Sequence, residues 1–306
     1  MNEQPSVGAS PESGDAPTSS ATSQGGGPAP YVDPARVAKV QRRRRRDVGV
    51  SVTSSVLAVV VTAAIIVNLP NWPTVQQEFF SWPNFKASFP SVLAGLWLNI
   101  QIFVVAEILI LILSLAIALI RLSKAPVLLP LRGASTAYVD FFRGTPTLLV
   151  VYLLGFGIPT LQLPGVPNSA LFWGTTALVL SYSAYVSEVF RAGINSVHPA
   201  QRSASRTLGL NNYQTMRFVV LPQAVRRVVP PLLNDFASLQ KDTALVSIIG
   251  PVEAMRAAEN YANLHFNYTS LVVAALLFIA LSLPVARFTD RLMEKQRKRT
   301  SAGGAA

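Results

Sequence analysis

Several charged and polar residues interrupt the longest apolar stretches of this sequence. Lys241, Asp242 and Thr243 lie in the middle of one such stretch, and Glu107 is the only charge in another. A polar or charged group in apolar surroundings costs free energy unless it is paired, and a dipolar solute leaving water needs both an acidic and a basic or amide partner. These side chains are therefore candidates for contact with a polar solute, with a structural role as the alternative. The candidates are Glu107, Asn234, Ser238, Lys241, Asp242 and Thr243.

Two further pairs of opposite charges have a simpler explanation. Asp140 and Arg143 form one pair, and Glu188 and Arg191 form the other. Side chains three residues apart are neighbours on one face of a helix. For both pairs we favour a structural ion pair over contact with a solute.

The sequence offers little for catalysis or metal binding. It has no cysteine and only two histidines, His198 and His265, which excludes thiolate zinc sites and argues against a histidine-rich metal centre. No segment matches the phosphate-binding GxxxxGK[ST] loop or a glycine-rich dinucleotide motif. We therefore predict no catalytic residue, no metal site and no cofactor bound by this chain.

Long apolar segments must position the candidate residues. Half of the 306 residues are hydrophobic and only 13% are charged, whereas soluble domains average about 25% charged residues. A bilayer is crossed by about 20 apolar residues, and six segments reach that length: 48–69, 91–120, 134–158, 169–190, 228–249 and 268–286. The fold predicted from sequence is an all-α membrane protein with six transmembrane helices.

The basic residues predict how these helices are oriented. If the N-terminus is cytoplasmic and the spans alternate, 22 of the 26 Lys and Arg residues fall on the cytoplasmic side. Cytoplasmic loops carry such an excess, so we predict that both termini lie in the cytoplasm. A net charge of +11 is also typical of nucleic-acid binding, but the neighbouring apolar segments favour membrane lipid, and we predict no nucleic-acid partner.

The segments before the first span and after the last one are predicted to be cytoplasmic tails. Residues up to Pro34 are mostly Gly, Pro, Ser, Ala and Thr, a composition that predicts disorder. This tail, residues 1–47, ends in five arginines, Arg42 to Arg46. A nucleic-acid patch and a twin-arginine export signal are alternatives, but the adjoining apolar segment favours the flank of a membrane anchor. Residues 288–306 form a second, basic tail.

The loop 197–224 is polar and basic and has the pattern of two short helices. Pro199 suits a helix start, and Gly209 allows a tight turn before a second helix from about Asn212. Its apolar residues include Leu208, Leu210, Tyr213 and Met216. A connector lying on lipid headgroups and a docking element for a soluble partner are both open at this point.

Three prolines lie at the end of the loop and just after it. Pro222, Pro230 and Pro231 are expected to break the helix of the fifth span where it leaves the loop, or to mark its start.

The loop resembles the EAA loop of ABC-importer permeases. The spacing of Ser203-Ala204-Ser205, Gly209 and Val220-Leu221-Pro222 carries the likeness. Three strings resemble the polar amino-acid permeases of bacteria: FFRGTP from Phe141, SYSAYVSEVFRAGI from Ser181, and LPQAVRRVVPPLLNDFASLQKDTALVSIIG from Leu221. The resemblance covers residues 91–287. Where the family pattern has Glu and a second Ala, this chain has Ser203 and Ser205.

The resemblance implies a permease subunit of an ATP-driven importer in the bacterial cell membrane, for a polar amino acid or a related small solute. Residues 91–287 would form a five-helix permease domain, with 48–69 as an extra N-terminal helix. ATP and Mg would bind a separate cytoplasmic ABC ATPase dimer. The other partners would be an extracytoplasmic solute-binding protein and a second permease subunit, identical or related.

The resemblance also assigns roles to the residues. The loop, with a cytoplasmic coupling helix, would contact the ATPase. From their own chemistry, the six candidates named first are our prediction for the lining of the translocation path. The residues expected to couple to the ATPase are Gln201, Ser203, Ala204, Ser205, Leu208, Gly209, Leu210, Tyr213, Leu221 and Pro222.

Two alternatives to an importer subunit stay open from the sequence. One is a secondary transporter driven by an ion gradient, although the chain has no clear internal duplication of the kind such proteins often carry. The other is an assembly or signalling membrane protein whose basic tail is the working part. The sequence does not indicate which amino acid is carried.

Overall fold

The computed structural model describes residues 34–68 and 70–302, and all the regular elements in these ranges are helical. The predicted disordered residues 1–33 lie outside the described ranges. The chain divides into two units, Met1–Leu69 and Pro70–Ala306.

The first unit contains one long helix, α1, Pro34–Val67. It begins before the arginine run, so residues 34–47, which were predicted from sequence to belong to the disordered tail, are helical. Arginine has a high helix propensity, which allows the apolar helix to extend through the run without a break. The segment Gly49–Val67 is long and apolar enough to cross a membrane.

The second unit holds eleven α-helices within the described residues. They are α2 Trp72–Phe79, α3 Trp82–Leu122, α4 Leu129–Gly144, α5 Thr147–Tyr152, α6 Ile158–Thr160, α7 Ala170–Asn195, α8 Pro199–Thr207, α9 Asn212–Gln214, α10 Leu221–Asp242, α11 Ala254–His265 and α12 Thr269–Ala302. Short 3₁₀ segments lie at Pro126–Leu128 and Thr243–Ile249, and π-helical segments lie at Leu153–Gly157 and Thr215–Val220.

Helix α3 is the central element of the second unit. It has 41 residues, about 60 Å at 1.5 Å per residue, so it is longer than a bilayer is thick. The middle of α3 packs against α7 and α10 through a core that includes Ile110, Leu178 and Leu239. Nearer its start, it packs against α11 and α12 through a second core that includes Val92 and Val273.

The number of helices suited to crossing a membrane is smaller than the sequence predicted. In the described ranges, three stretches are long and apolar enough, namely Gly49–Val67, Trp72–Leu122 and Thr269–Glu294. A fourth is counted only if Pro126–Gly144 and Thr147–Thr160, which meet at 103°, form one broken span. The predicted third segment, 134–158, is therefore not a straight helix.

The remaining two predicted spans correspond to α7 and α10. In α7 the polar side chains Ser181, Ser183 and Ser187 are fully buried against other helices. Ser183 and Ser187 donate to the Leu180 and Ala184 carbonyls on the same helix. These polar side chains make α7 less apolar than a helix that faces lipid. Helix α10 carries two arginines, one lysine, two aspartates and three prolines.

The three prolines do not break α10. Pro222 lies in its first turn, where a missing N–H costs little, directly after the π-helical segment Thr215–Val220. Pro230 and Pro231 lie inside the helix. The carbonyls that they leave without a helical partner belong to Arg226 and Arg227, which are exposed.

Candidate functional site

The loop 197–224 folds as two short helices joined at Gly209. Helix α8 ends at Thr207, and Gly209 adopts φ +82°, a left-handed conformation. The Gly209 and Leu210 N–H groups donate to the carbonyls of Arg206, at 2.9 Å, and Ser205, at 3.1 Å. This is the glycine turn that the sequence predicted, and it closes the C-terminal end of α8.

Polar side chains fix the starts of both short helices. The His198 Nδ1 accepts a hydrogen bond from the Ala200 N–H at 3.2 Å. At α9, Asn211 Oδ1 accepts from the Gln214 N–H at 2.8 Å, and Gln214 Oε1 accepts from the Asn211 N–H at 2.9 Å. This reciprocal capping box allows a helix of only three residues to form.

The turn presents apolar side chains to its surroundings. Leu208 is 82% exposed and Tyr213 is 66% exposed, and the Tyr213 hydroxyl accepts from the exposed Arg217 at 3.0 Å. A cluster of large exposed apolar groups is typical of a contact surface. Several of the residues predicted to belong to this surface are also exposed: Gln201, Ser203, Ala204, Leu221 and Pro222. Leu210 is half-buried and Ser205 is buried.

Three of the six solute-contact candidates lie on one face of α10. Asn234, Ser238 and Lys241 are spaced by four and three residues, which aligns them along a helix, and all three are exposed in the single chain. Lys241 borders a cavity of about 420 Å³ whose other lining residues are apolar. These residues are Ala244, Met255, Leu271, Ala274, Ala275 and Phe278.

Asp242 and Thr243 point elsewhere. The Tyr182 hydroxyl on α7 donates to Asp242 Oδ2 at 2.7 Å. Thr243 Oγ1 is buried and accepts from Asn99 Nδ2 at 3.1 Å. Both side chains are used in helix-to-helix contacts, so the structure separates them from the exposed face of α10.

Glu107 faces a residue that was not among the candidates. On α3, it lies close enough to Asp235 on α10 for the two carboxyl groups to interact electrostatically. Asp235 Oδ2 is buried and has no hydrogen-bond partner in the described residues, and none of the ion pairs formed there includes either acid. Two acidic groups in this arrangement can accept a positively charged group.

A buried polar network that joins α3 to the start of α11 was missed from the sequence. Glu253 is fully buried and caps α11, where its carboxylate accepts from the Met255 and Arg256 N–H groups at 3.0 and 2.8 Å. Asn99 Nδ2 donates to Glu253 Oε2 at 2.8 Å, and Asn99 Oδ1 accepts from the Ala254 N–H at 3.0 Å. The first N–H groups of a buried helix are thereby satisfied.

The carboxylate of Glu253 is held by donors and not by a cation. Burial raises its pKa, and the hydrogen bonds from the Arg256 and Met255 N–H groups and from Asn99 counter that rise. Its capping role could not be recognised from the sequence. Glu253 lies just beyond the predicted fifth span, 228–249, where an acidic residue in an exposed loop is expected. The one available signal was its position one residue before a helix.

Replacement of Glu253 by leucine should destabilise the protein strongly. The Asn99 amide and two backbone N–H groups would lose their acceptor, and each unsatisfied buried group costs about 1–3 kcal/mol. We expect a markedly lower midpoint for thermal loss of the monodisperse protein in detergent. Glu259→Leu, which removes a half-exposed acid from the same helix, is the matched control and should change the midpoint little. An equal midpoint for the two variants would contradict a capping role.

Of the two ion pairs predicted from the sequence, one forms and the other does not form among the described residues. Glu188 Oε2 lies 2.6 Å from Arg191 Nη2, and Arg121 at the end of α3 also binds the Glu188 carboxylate. Asp140 and Arg143 do not form the expected pair among the described residues. Both are exposed, and the Arg143 guanidinium lies 6.0 Å from the centre of the Tyr185 ring instead. The contact with Tyr185 on α7 directs the Arg143 side chain away from Asp140.

The described residues contain no group of three or more His, Asp or Glu side chains suited to a metal ion. The site consists of a glycine turn with exposed apolar side chains, a polar helix face and buried hydrogen bonds. Such groups can bind and orient a solute or a partner protein.

Comparison with known proteins identifies the class to which this arrangement belongs. The family described as "Binding-protein-dependent transport system inner membrane component" matches residues 128–298. The arginine transport system permease protein ArtQ of Bacillus subtilis is 33% identical over 219 residues, which cover 70% of this chain and 97% of the relative. The glutamate transport system permease protein GluC of Corynebacterium efficiens is 35% identical and covers 67% and 94%.

Solved structures agree with this classification. An amino acid ABC transporter crystallised with histidines superposes with a TM-score of 0.61 at 30% identity, covering 68% of this chain and 94% of that one. The MetNI methionine ABC transporter in an inward-facing conformation has a TM-score of 0.56 at 16% identity, and it supports the fold alone.

The chain belongs to the binding-protein-dependent transport system inner membrane component family. It is an integral inner-membrane permease subunit of an ABC importer, and it is a transport subunit, not an enzyme. The comparisons do not support a secondary transporter. In this family, the ATPase is a separate subunit.

Proposed function

We propose that this chain forms half of the translocation path of an importer for a polar amino acid or a closely related solute. It spans the membrane six times with both termini in the cytoplasm, and residues 91–287 form its permease domain. A solute-binding protein outside the cell delivers the substrate, and a cytoplasmic ATPase dimer, which holds ATP and Mg, drives transport. The names of relatives that carry arginine and glutamate support this substrate class.

The polar face of α10 is the observation that carries the proposal. Asn234, Ser238 and Lys241 are exposed along about two turns of a helix that packs into the core of the second unit. Polar and charged side chains inside a membrane face a water-filled cavity or a protein partner and not lipid. A second permease subunit, identical or related, covers this face, and the substrate passes between the two.

The charges near this face fit a zwitterion. Lys241 is suited to a carboxylate, and the Glu107–Asp235 pair is suited to an ammonium group. Asp242 and Thr243, held by Tyr182 and Asn99, keep the end of α10 in place beside the path. Substrate side chains are selected mainly by the binding protein, so the path needs only to accept the groups that amino acids share.

The loop 197–224 is the contact with the ATPase. The exposed residues around Leu208 and Tyr213 fit a groove on the ATPase, and α8 is the coupling helix. Because the loop joins α7 directly to α10, movement of the ATPase shifts the helix that lines the path. This is a rigid-body switch. The EAA carboxylate is absent here, and Ser203 is exposed at that position.

Uptake by the reconstituted complex tests this function. The full chain is purified with its copurifying subunits, placed in liposomes and supplied with internal ATP and the external binding protein. We expect uptake of a radiolabelled amino acid that requires ATP and the binding protein and that vanadate inhibits. Uptake driven by an ion gradient without ATP would contradict the proposal.

A further inference from the structure

Two buried hydroxyl groups connect α8 to the π-helical segment Thr215–Val220, which continues directly into α10. Ser205 is 3% exposed and Thr215 is 6% exposed, and Ser205 Oγ lies 2.9 Å from Thr215 Oγ1. Ser205 Oγ also donates to the Arg202 carbonyl at 2.9 Å. Since that bond uses the serine proton, Ser205 accepts the hydrogen bond that Thr215 donates.

Arginine side chains attach both helices to the end of α7. Arg202 on α8 donates to the Ile194 carbonyl at 2.6 Å, and Arg227 on α10 donates to the Ser196 carbonyl. These carbonyls lie at the C-terminal end of α7, where cations and N–H donors are favoured. A small apolar core that includes Val197 and Val220 fills the space between the elements.

The turn at Gly209 is the weak point of this assembly. A Cβ atom at Gly209 would have no neighbour within 4 Å, so the turn depends on hydrogen bonds. Its backbone bonds are local, and the Arg206 side-chain bond to Asn212 Oδ1 across the turn, at 2.9 Å, is exposed. Without a buried contact across the turn, α8 could rotate about Gly209, and a movement of the ATPase would then not be transmitted to α10. The Ser205–Thr215 hydrogen bond is buried and joins residues on either side of the turn.

We propose that the Ser205–Thr215 hydrogen bond is a positioning contact for energy coupling, which makes α8 and α10 move as one body. The proposal rests on the proposed contact between the loop and the ATPase. Ser205 stands where the family pattern has alanine, so the serine hydroxyl is a departure with a partner and a function in this chain. Ser205 and Thr215 bind neither substrate nor ATP. They act by holding the docking turn at a fixed angle to α10.

The test measures substrate molecules transported per ATP hydrolysed by the reconstituted complex. Thr215→Val removes the hydroxyl without changing the side-chain shape, and Thr215→Ser keeps the hydroxyl. We expect Thr215→Val and Ser205→Ala each to lower the transport-to-ATP ratio about fivefold or more, as the loss of one buried partner implies. Thr215→Ser should keep the ratio close to that of the unmodified complex, and basal ATP hydrolysis should persist in all three.

Controls separate this role from general stability. Thr160→Val makes the same chemical change at an exposed hydroxyl of α6, outside the loop 197–224, and should leave the ratio unchanged. Equal loss in Thr215→Val and Thr215→Ser, or a loss matched by a lower thermal midpoint in every variant, would assign the pair to packing and overturn the proposal. Ser205→Ala removes only the hydroxyl group. If Thr215→Val does not assemble, the transport-to-ATP ratio of Ser205→Ala tests the proposal in its place.

The result with Gly209→Val distinguishes the two levels of the proposal. If Gly209→Val uncouples transport while Thr215→Val and Ser205→Ala retain the normal ratio, the hydrogen bond is dispensable and only this inference fails. If all three retain the normal ratio, the loop does not couple transport to ATP, and the proposed function of the loop fails with it.

Discussion

Replacement of Gly209 by valine should abolish ATP-coupled uptake while the chain still inserts into the membrane. Gly209 has φ +82°, and a β-branched residue in that conformation costs about 1–3 kcal/mol. The space around the missing Cβ is open, so the expected effect comes from the backbone and not from a clash. A turn that relaxes to ordinary φ would swing Leu208 and Tyr213 away from the ATPase.

Two control variants isolate this cause. Gly209→Asn should retain most of the uptake, because asparagine tolerates the left-handed conformation better than other residues with a side chain. Gly133→Val places the same side chain in α4, where the Cβ also meets nothing within 4 Å and no positive φ is required. The measurement is uptake together with ATPase activity in proteoliposomes. Normal uptake and normal ATPase stimulation in Gly209→Val would contradict the assigned role of the turn.

Replacement of Lys241 by glutamine should impair uptake by about tenfold or more, because a hydrogen bond to a charged group contributes about 1.5–3 kcal/mol. Lys241 is exposed beside an apolar cavity and is not a member of any ion pair formed within the described residues. Its charge therefore does not serve the fold of the single chain, and the purified complex should keep its subunit composition.

Two control variants test whether the effect comes from the positive charge at position 241. Lys241→Arg retains the positive charge and should transport better than Lys241→Gln. Lys86→Gln removes a lysine whose ammonium group lies 5.1 Å from the centre of the Trp82 ring, outside the proposed path, and should transport normally. If Lys241→Gln fails to assemble, or if it transports as well as the unmodified chain, Lys241 is not a path residue.

The sequence predicted features that depend on local chemistry. Gly209 between two polar helical segments indicated a left-handed turn, and the turn has that conformation. The spacing of Glu188 and Arg191 indicated an ion pair, and the pair forms. In both cases, the residues that decide the structure are neighbours along the chain. The family resemblance added the permease family, which the comparisons confirm, whereas the six spans and the coupling helix stay predictions.

Features that depend on distant parts of the chain were not predictable in the same way. Glu253 caps a helix whose burial is created by α3, more than 150 residues earlier. Asp235 interacts electrostatically with Glu107, which lies on a different helix far away in the sequence. The prolines of α10 were expected to break it or to mark its start. Pro222 lies in its first turn, and the helix continues through Pro230 and Pro231, whose unpaired carbonyls belong to the exposed residues Arg226 and Arg227. In α7, polar residues that lower its apolar character are buried against neighbours.

Cross-linking from single introduced cysteines tests most directly whether the loop 197–224 docks on the ATPase. Because this chain has no native cysteine, each cross-link from it can be assigned to the introduced one. Leu208 and Leu264 are similarly exposed, at 82% and 76%, and lie on opposite sides of the membrane in the proposed topology. We predict that Leu208→Cys cross-links to the ATPase in the assembled complex. Leu264→Cys should not, and it should react with an impermeant reagent added outside cells. Cross-linking of the ATPase from Leu264→Cys, with none from Leu208→Cys, would contradict both the topology and the coupling role of the loop.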